Sequence, residues 1–151
     1  MKAKNLYISL LLIAFACSLN LNAQEEKHLR EQRPFGASLN LGGPSFFASA
    51  SIDYFINPVI QLETGIGLVG YFGGLKFHYS KQENPGASIY TGAFISRLKM
   101  YSVGSLSGIY APLGWQNISE YGFTYGIEAA VWHGFQQTTF IWGALRMGWH
   151  F

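Results

Sequence analysis

His78 and Ser80, two residues apart in HYSKQE, with Glu83 close behind, are the three side-chain types of a hydrolytic triad. Nucleophilic catalysis needs the hydroxyl, its base and an orienting acid held together in space. An extended chain sends residues two apart to one face, but Glu83 falls in the turn sequence QENPGA, so nothing holds the third group. These residues read as polar interior or turn positions, and no catalytic residue is assigned. His28, His133 and His150 sit on separate segments without ligand spacing, so neither metal nor cofactor is expected. The 18 glycines follow turns and alternating segments and build no phosphate loop. What remains is charge. Asp53, Glu63 and Glu128 can be set against Lys76, Arg97 and Arg146, three negatives against three positives. Such a set either lines a conducting channel or pairs off inside a filled interior, and pairing is the expectation if all six share one enclosure.

Whether they do depends on the elements that carry them. From Phe35 onward the chain alternates apolar with small or polar residues, in segments separated by Gly, Pro, Asn and Ser. Eight strands are expected, over 35–42, 45–56, 59–72, 75–81, 88–99, 108–119, 122–133 and 139–151. Gly73-Gly74 reads as a hairpin turn and 100–107 as a loop. Sorting by parity puts Ile60, Leu62, Ile66, Leu68 and Phe72 opposite Gln61 and Glu63. It puts Phe46, Ile52 and Tyr54 opposite Ser51 and Asp53, and Leu75, Phe77 and Tyr79 opposite Lys76 and His78. Tyr125, Ile127 and Val131 oppose Thr124 and Glu128, and Leu145, Met147, Trp149 and Phe151 oppose Arg146 and His150. The segment carrying Arg97 has no clear parity. No amphipathic helix is apparent.

Residues 1–23 have the parts of an export signal: Lys2 and Lys4, an apolar run from Leu6 to Leu19, and Ala23 before Gln24. Cys17, the single cysteine, lies within it and makes a poor lipidation site, so the mature chain is expected to carry no thiol and no disulfide. Without Lys2 and Lys4, eight basic residues balance eight acidic ones. Nucleic-acid binding is not expected from a neutral chain without a basic cluster. Residues 24–34 hold six charged residues in eleven, which reads as a solvated periplasmic arm before a barrel spanning 35–151.

A soluble sheet would crowd its polar face with long charged residues. Here that face is mostly Gly, Ser and Ala with single charges, which suits a narrow interior, and the apolar face is continuous and aromatic, which suits lipid. Lipid also demands closure, since an open edge leaves backbone groups unpaired. The expected fold is all-β, an eight-stranded antiparallel up-and-down transmembrane barrel. The tryptophans at 115, 132, 142 and 149 are expected in interface belts.

GGPSFFASASIDYFINP, GIYAPLGWQNIS, GFTYGIEAA and IWGALRMGWHF resemble segments of a porin-like family of small outer-membrane β-barrels of Gram-negative bacteria. The closing strand is similar to the sorting signal read by the barrel-assembly machinery, carried here by Trp149 and Phe151, with Arg146 where that signal often has glycine. The resemblance implies an outer-membrane barrel and leaves its function open; the expectation is a monomeric, non-enzymatic protein with membrane lipid and the assembly machinery as partners and a structural or surface-interaction role. Loops after strands 1, 3, 5 and 7 would face outward, with the shorter turns in the periplasm. Those around 100–107 and 134–138 would be the longest. Three alternatives are a narrow pore for small solutes, a lipid-modifying enzyme on the same barrel, and a soluble barrel that holds an apolar ligand and reverses the parity.

Overall fold

The structure is a computed structural model that describes residues 28–80, 84, 86–100, 104–136 and 138–151. The expected export signal, Cys17 and Glu83 lie outside these residues. A four-residue helix α1 (Leu29–Gln32) precedes β1 (Phe35–Gly42), β2 (Ala48–Phe55), β3 (Ile60–Gly67) and β4 (Gly70–Tyr79). They are followed by β5 (Ala87–Met100), β6 (Gly104–Ile118), β7 (Phe123–Gly134) and β8 (Thr139–His150). Each strand pairs antiparallel with the next and β8 pairs with β1, so the sheet is a closed barrel in sequence order. Closure is tied off where the Phe151 amide donates to the Phe35 carbonyl at 2.8 Å.

Alternation decides which way each strand faces. Leu39, Ile66, Ile95, Leu113 and Ile141 point outward, each at least 64% exposed, while Asp53, Glu63, Lys76, Arg146 and His150 are at most 4% exposed inside. A water-soluble barrel has the opposite polarity, so the alternative with an apolar interior ligand has its faces reversed relative to this structure.

We call the end that carries Phe35 and Phe151 the near end, and the other the far end. The far half of the interior is aromatic: Phe72, Phe94, Leu98, Tyr110 and Trp132 form a buried cluster. The β1–β2 connection folds into it as a 3-10 turn, Gly43–Ser45, whose three residues are all buried. Phe46 follows in a left-handed conformation, φ 72°, and packs against Phe140 and Trp142 at ring-centroid distances of 4.9 and 5.3 Å. Phe46 and Phe72 were both expected on the apolar outer face and are inside. Trp132, expected in an interface belt, is 1% exposed and donates from Nε1 to Ser96 Oγ at 2.8 Å.

Several boundaries also shift. Gly73 and Gly74 lie within β4, and the hairpin turn falls at Leu68-Val69. A Cβ on Gly74 would come within 2.2 Å of the Ala93 carbonyl and 2.7 Å of the Phe94 ring, so glycine is there for close approach and not for a turn. The expected loop 100–107 is mostly strand, since β5 runs to Met100 and β6 starts at Gly104. The far-end connections are consequently short, and the expectation of longer loops on that side is not met.

The arm is not solvated throughout. Arg30 in α1 is fully buried at the near mouth, where Nη1 donates to Ser80 Oγ at 3.1 Å and to the Pro58 carbonyl at 3.3 Å. Its guanidinium lies 5.5 Å from the Phe55 ring centroid. Burial pushes the Arg30 pKa down to about 10.

Candidate functional site: the buried polar network

Arg146 enters the interior from β8, where its neighbours across the ladder are Asn40 and Gly126. The small residue on β7 leaves the guanidinium free to cross the lumen. Its fork takes two carboxylates at once: Nη2 to Asp53 Oδ2 at 2.5 Å and Nη1 to Glu63 Oε2 at 2.7 Å. Nε donates to Ser38 Oγ at 3.1 Å. Asp53 and Glu63 are directly opposed on β2 and β3. Like charges so placed repel, and the planar guanidinium between them removes the conflict.

Two branches leave this centre. Lys76 Nζ lies 2.9 Å from Glu63 Oε2 and 3.7 Å from Glu128 Oε2, over the Tyr90 ring at 4.4 Å. Glu128 in turn accepts from the Tyr90 hydroxyl at 2.5 Å and the Tyr110 hydroxyl at 2.7 Å. On the near side, Asp53 Oδ1 accepts from Gln61 Nε2 at 2.5 Å and His150 Nε2 at 2.8 Å. Gln61 Oε1 then meets His78 Nε2 at 2.8 Å, and His78 Nδ1 meets Ser88 Oγ at 2.9 Å. His150 Nδ1 meets Thr124 Oγ1 at 2.7 Å. With a proton on Nε2 and none on Nδ1 of each ring, Ser88 and Thr124 donate to Nδ1 and every contact has one donor. All eight strands contribute a residue to this network.

Glycines make the space. A Cβ on Gly36 would lie 2.6 Å from His150 Nε2 and 2.7 Å from Asp53 Oδ1, and one on Gly114 would lie 2.5 Å from the Tyr90 ring. Small residues beside large charged ones are how so narrow a lumen holds ion pairs.

The structure thus brings together five of the six residues expected in the charge set: Asp53, Glu63, Lys76, Glu128 and Arg146. Arg97 is a correction, because it is exposed on the outer face of β5. The inward residues of β5 are Ser88, Tyr90, Phe94, Ser96 and Leu98, so a rule that polar residues point inward misplaces Arg97 there. His150 stands on Asp53 where a third cation was sought. Its parity matches that of Arg146, which was the available signal. Tyr90 and Tyr110 gave none, since inward aromatics look like lipid-facing ones in a sequence. Trp149 and Phe151 lie on the outer face, 44% and 59% exposed.

Thr124, His150 and Asp53 form a hydroxyl–imidazole–carboxylate relay in hydrogen-bond reach, yet Thr124 and His150 are fully buried and Asp53 is 2% exposed. His78 and Ser80 do not meet: His78 is engaged by Ser88 and Gln61, and Ser80 accepts from Arg30.

No family model matches the sequence, and no curated protein matches it. Among solved structures, the chain is similar to the N-terminal β-barrel domain of OprF from Pseudomonas aeruginosa. The TM-score is 0.55 at 15% identity, covering 78% of this chain and 95% of that one. The likeness is one of fold.

Proposed function

We propose that this chain is an integral outer-membrane β-barrel of a Gram-negative bacterium, monomeric and non-enzymatic, with a closed interior and a structural or surface-interaction role. The observation that carries the reading is the inverted polarity of the barrel. Its wall presents aliphatic and aromatic side chains all round, while its ion pairs are inside, and only a lipid surround makes that arrangement favourable. The fold shared with a β-barrel domain of a Gram-negative protein is in keeping with it. Closure of the lumen is supported from three directions. Phe46 and the aromatic cluster fill the far half, the ion-pair network crosses the middle, and α1 with Arg30 occupies the near mouth. Thr124, His150 and Asp53 are each at most 2% exposed, which favours a positioning role over catalysis. Trp149 and Phe151 are then lipid-facing anchors of the closing strand, suited to the assembly signal they resemble.

The test has two arms. In cell fractionation the mature protein should sediment with outer membranes, resist alkaline carbonate and require detergent for release. In planar bilayers the purified protein should give no steady conductance. Release without detergent would refute the membrane assignment, and a steady open channel would favour the pore.

A further inference from the structure

We propose that Arg97 and Lys99 bind the phosphorylated headgroup of an outer-leaflet lipid, whose acyl chain lies in the adjoining groove; this rests on the membrane reading above. Both side chains are exposed on the outer face of β5, a face otherwise made of Ile89, Thr91, Ala93 and Ile95. Among the described strand residues they are the only Lys, Arg, Asp or Glu on the lipid-facing wall. Neither has a carboxylate or hydrogen-bond partner among the described residues. Their ladder neighbours are Tyr71 and Ser107 for Arg97 and Ser105 for Lys99, none of them acidic. Two cations with no partner among the described residues, on a wall that elsewhere carries no Lys, Arg, Asp or Glu among the described strand residues, call for an anion.

Their height says which anion is near. Ile89 is paired between Tyr79 and Trp115, in the aromatic girdle of the near end. Arg97 is eight positions farther along β5 and Lys99 ten. At about 3.3 Å per residue these are ~26 and ~33 Å along the strand. With a tilt of about 40°, they rise ~20 and ~25 Å along the membrane normal, against an apolar band about 25 Å tall. Lys99 therefore reaches the headgroup layer of the leaflet opposite the near girdle, and Arg97, about 5 Å short of it at the backbone, reaches it by extending its long side chain. With the near end in the periplasm, that is the outer leaflet.

The groove beside them is shaped for an amphiphile. Ile66, Leu68 and Val69 make its apolar wall, and Arg97, Lys99 and Ser105 its polar rim. Gly104 leaves open space beside that rim, since a Cβ there would meet nothing within 4 Å. A guanidinium fork and an ammonium two residues apart on one face can share a phosphate, the fork taking two oxygens and the ammonium a third. A zwitterionic headgroup brings its own cation and satisfies this rim less well.

The experiment uses the full mature chain folded in detergent and native mass spectrometry of the lipid it retains. The probes are a bisphosphorylated glycolipid (lipid A), the same glycolipid with its phosphates removed, and phosphatidylethanolamine. Wild type should prefer the bisphosphorylated form over the other two by on the order of tenfold, the scale set by two cations at an anionic surface. The double variant Arg97→Gln, Lys99→Gln should lose that preference while keeping the heat-modifiable gel mobility of a folded barrel. Arg33→Gln, a cation removed at the near end, should keep it. Equal retention of all three lipids by wild type, or an undiminished preference in the double variant, would overturn the proposal. So would full displacement by millimolar inorganic phosphate, which would mark a free-anion site. Insertion into neutral-lipid vesicles separates the two readings. A chain that inserts but shows no phosphate preference sinks this inference alone, and one that fails to insert sinks the membrane assignment.

Discussion

Arg146 is the residue on which the interior turns, because among the described residues it alone bridges the opposed carboxylates of Asp53 and Glu63. Removing one partner of a buried ion pair strands the other, at a cost of about 3–5 kcal/mol. Ile66 is 70% exposed on the outer wall and has no such partner. Arg146→Ala should therefore lower the thermal unfolding temperature in detergent far more than Ile66→Ala. Adding Glu63→Gln to Arg146→Ala should recover part of the loss, since it removes a negative charge left without its guanidinium. Arg97→Gln should leave the unfolding temperature unchanged, because Arg97 is outside the lumen. Equal losses for Arg146→Ala and Ile66→Ala would show the interior to be wrongly assigned. Five members of the network were legible from parity because β2, β3, β4, β7 and β8 alternate small-polar with large-apolar. Arg97 was not, since the inward face of β5 is aromatic in its far half. That half of the lumen excludes ions, and no single strand reveals where the change occurs.

At the level of elements, segments that are not strands pack into both ends of the barrel. The β1–β2 turn holds Phe46 at φ 72°, a conformation that costs a non-glycine residue roughly 1–3 kcal/mol. Packing of its ring on Trp132, Phe140 and Trp142 offsets that cost. Phe46→Ala loses the packing and keeps the strain, whereas Phe46→Gly loses the packing and relieves the strain. Both should destabilise, and the glycine variant should be the more stable by about 1 kcal/mol; denaturant titration in detergent would show the order, and a less stable glycine variant would contradict it. At the near end, His28 Nδ1 accepts from the Arg30 amide at 3.3 Å and caps α1. Burial, then the neighbouring Arg30 charge, hold the His28 pKa below its ordinary 6.5. An undocked arm therefore binds a proton more readily than a docked one. The cap's contribution is present above about pH 6.5 and is lost as the pH falls through the lower, docked value. Amide exchange over residues 30–33, corrected for intrinsic rate, should show weaker protection at pH 5 than at pH 7.5. His28→Asn, which caps without titrating, should flatten that difference; a wild-type arm equally protected at both pH values would rule out the switch. Neither placement was readable beforehand. The charge density of 24–34 signals solvation, and only the tertiary position of Phe55, Pro58 and Ser80 turns Arg30 inward. Gly73-Gly74 likewise looks like a turn until the Phe94 ring beside it is known.

For the molecule as a whole, the fold was the most legible level, because period-two alternation over eight segments with opposite polarities leaves a closed barrel as the arrangement that satisfies every backbone group in lipid. Loop lengths were the least legible, since strand ends depend on pairing partners and not on local composition; β5 runs to Met100 and β6 starts at Gly104, both within the expected loop. The proposed membrane insertion requires one orientation of the wall, with apolar side chains toward lipid and ions and aromatics inside. The tryptophans report it directly. Trp115 and Trp149 face outward at 38% and 44% exposure, while Trp132 is inside at 1%. Variants that keep one tryptophan and replace the others by Phe can be folded into vesicles whose acyl chains are brominated near the headgroup. Fluorescence from Trp115 alone and from Trp149 alone should be strongly quenched, and that from Trp132 alone should remain close to its value in unbrominated vesicles. Quenching of Trp132 as deep as that of Trp149, or none at any of the three, would contradict this orientation of the wall.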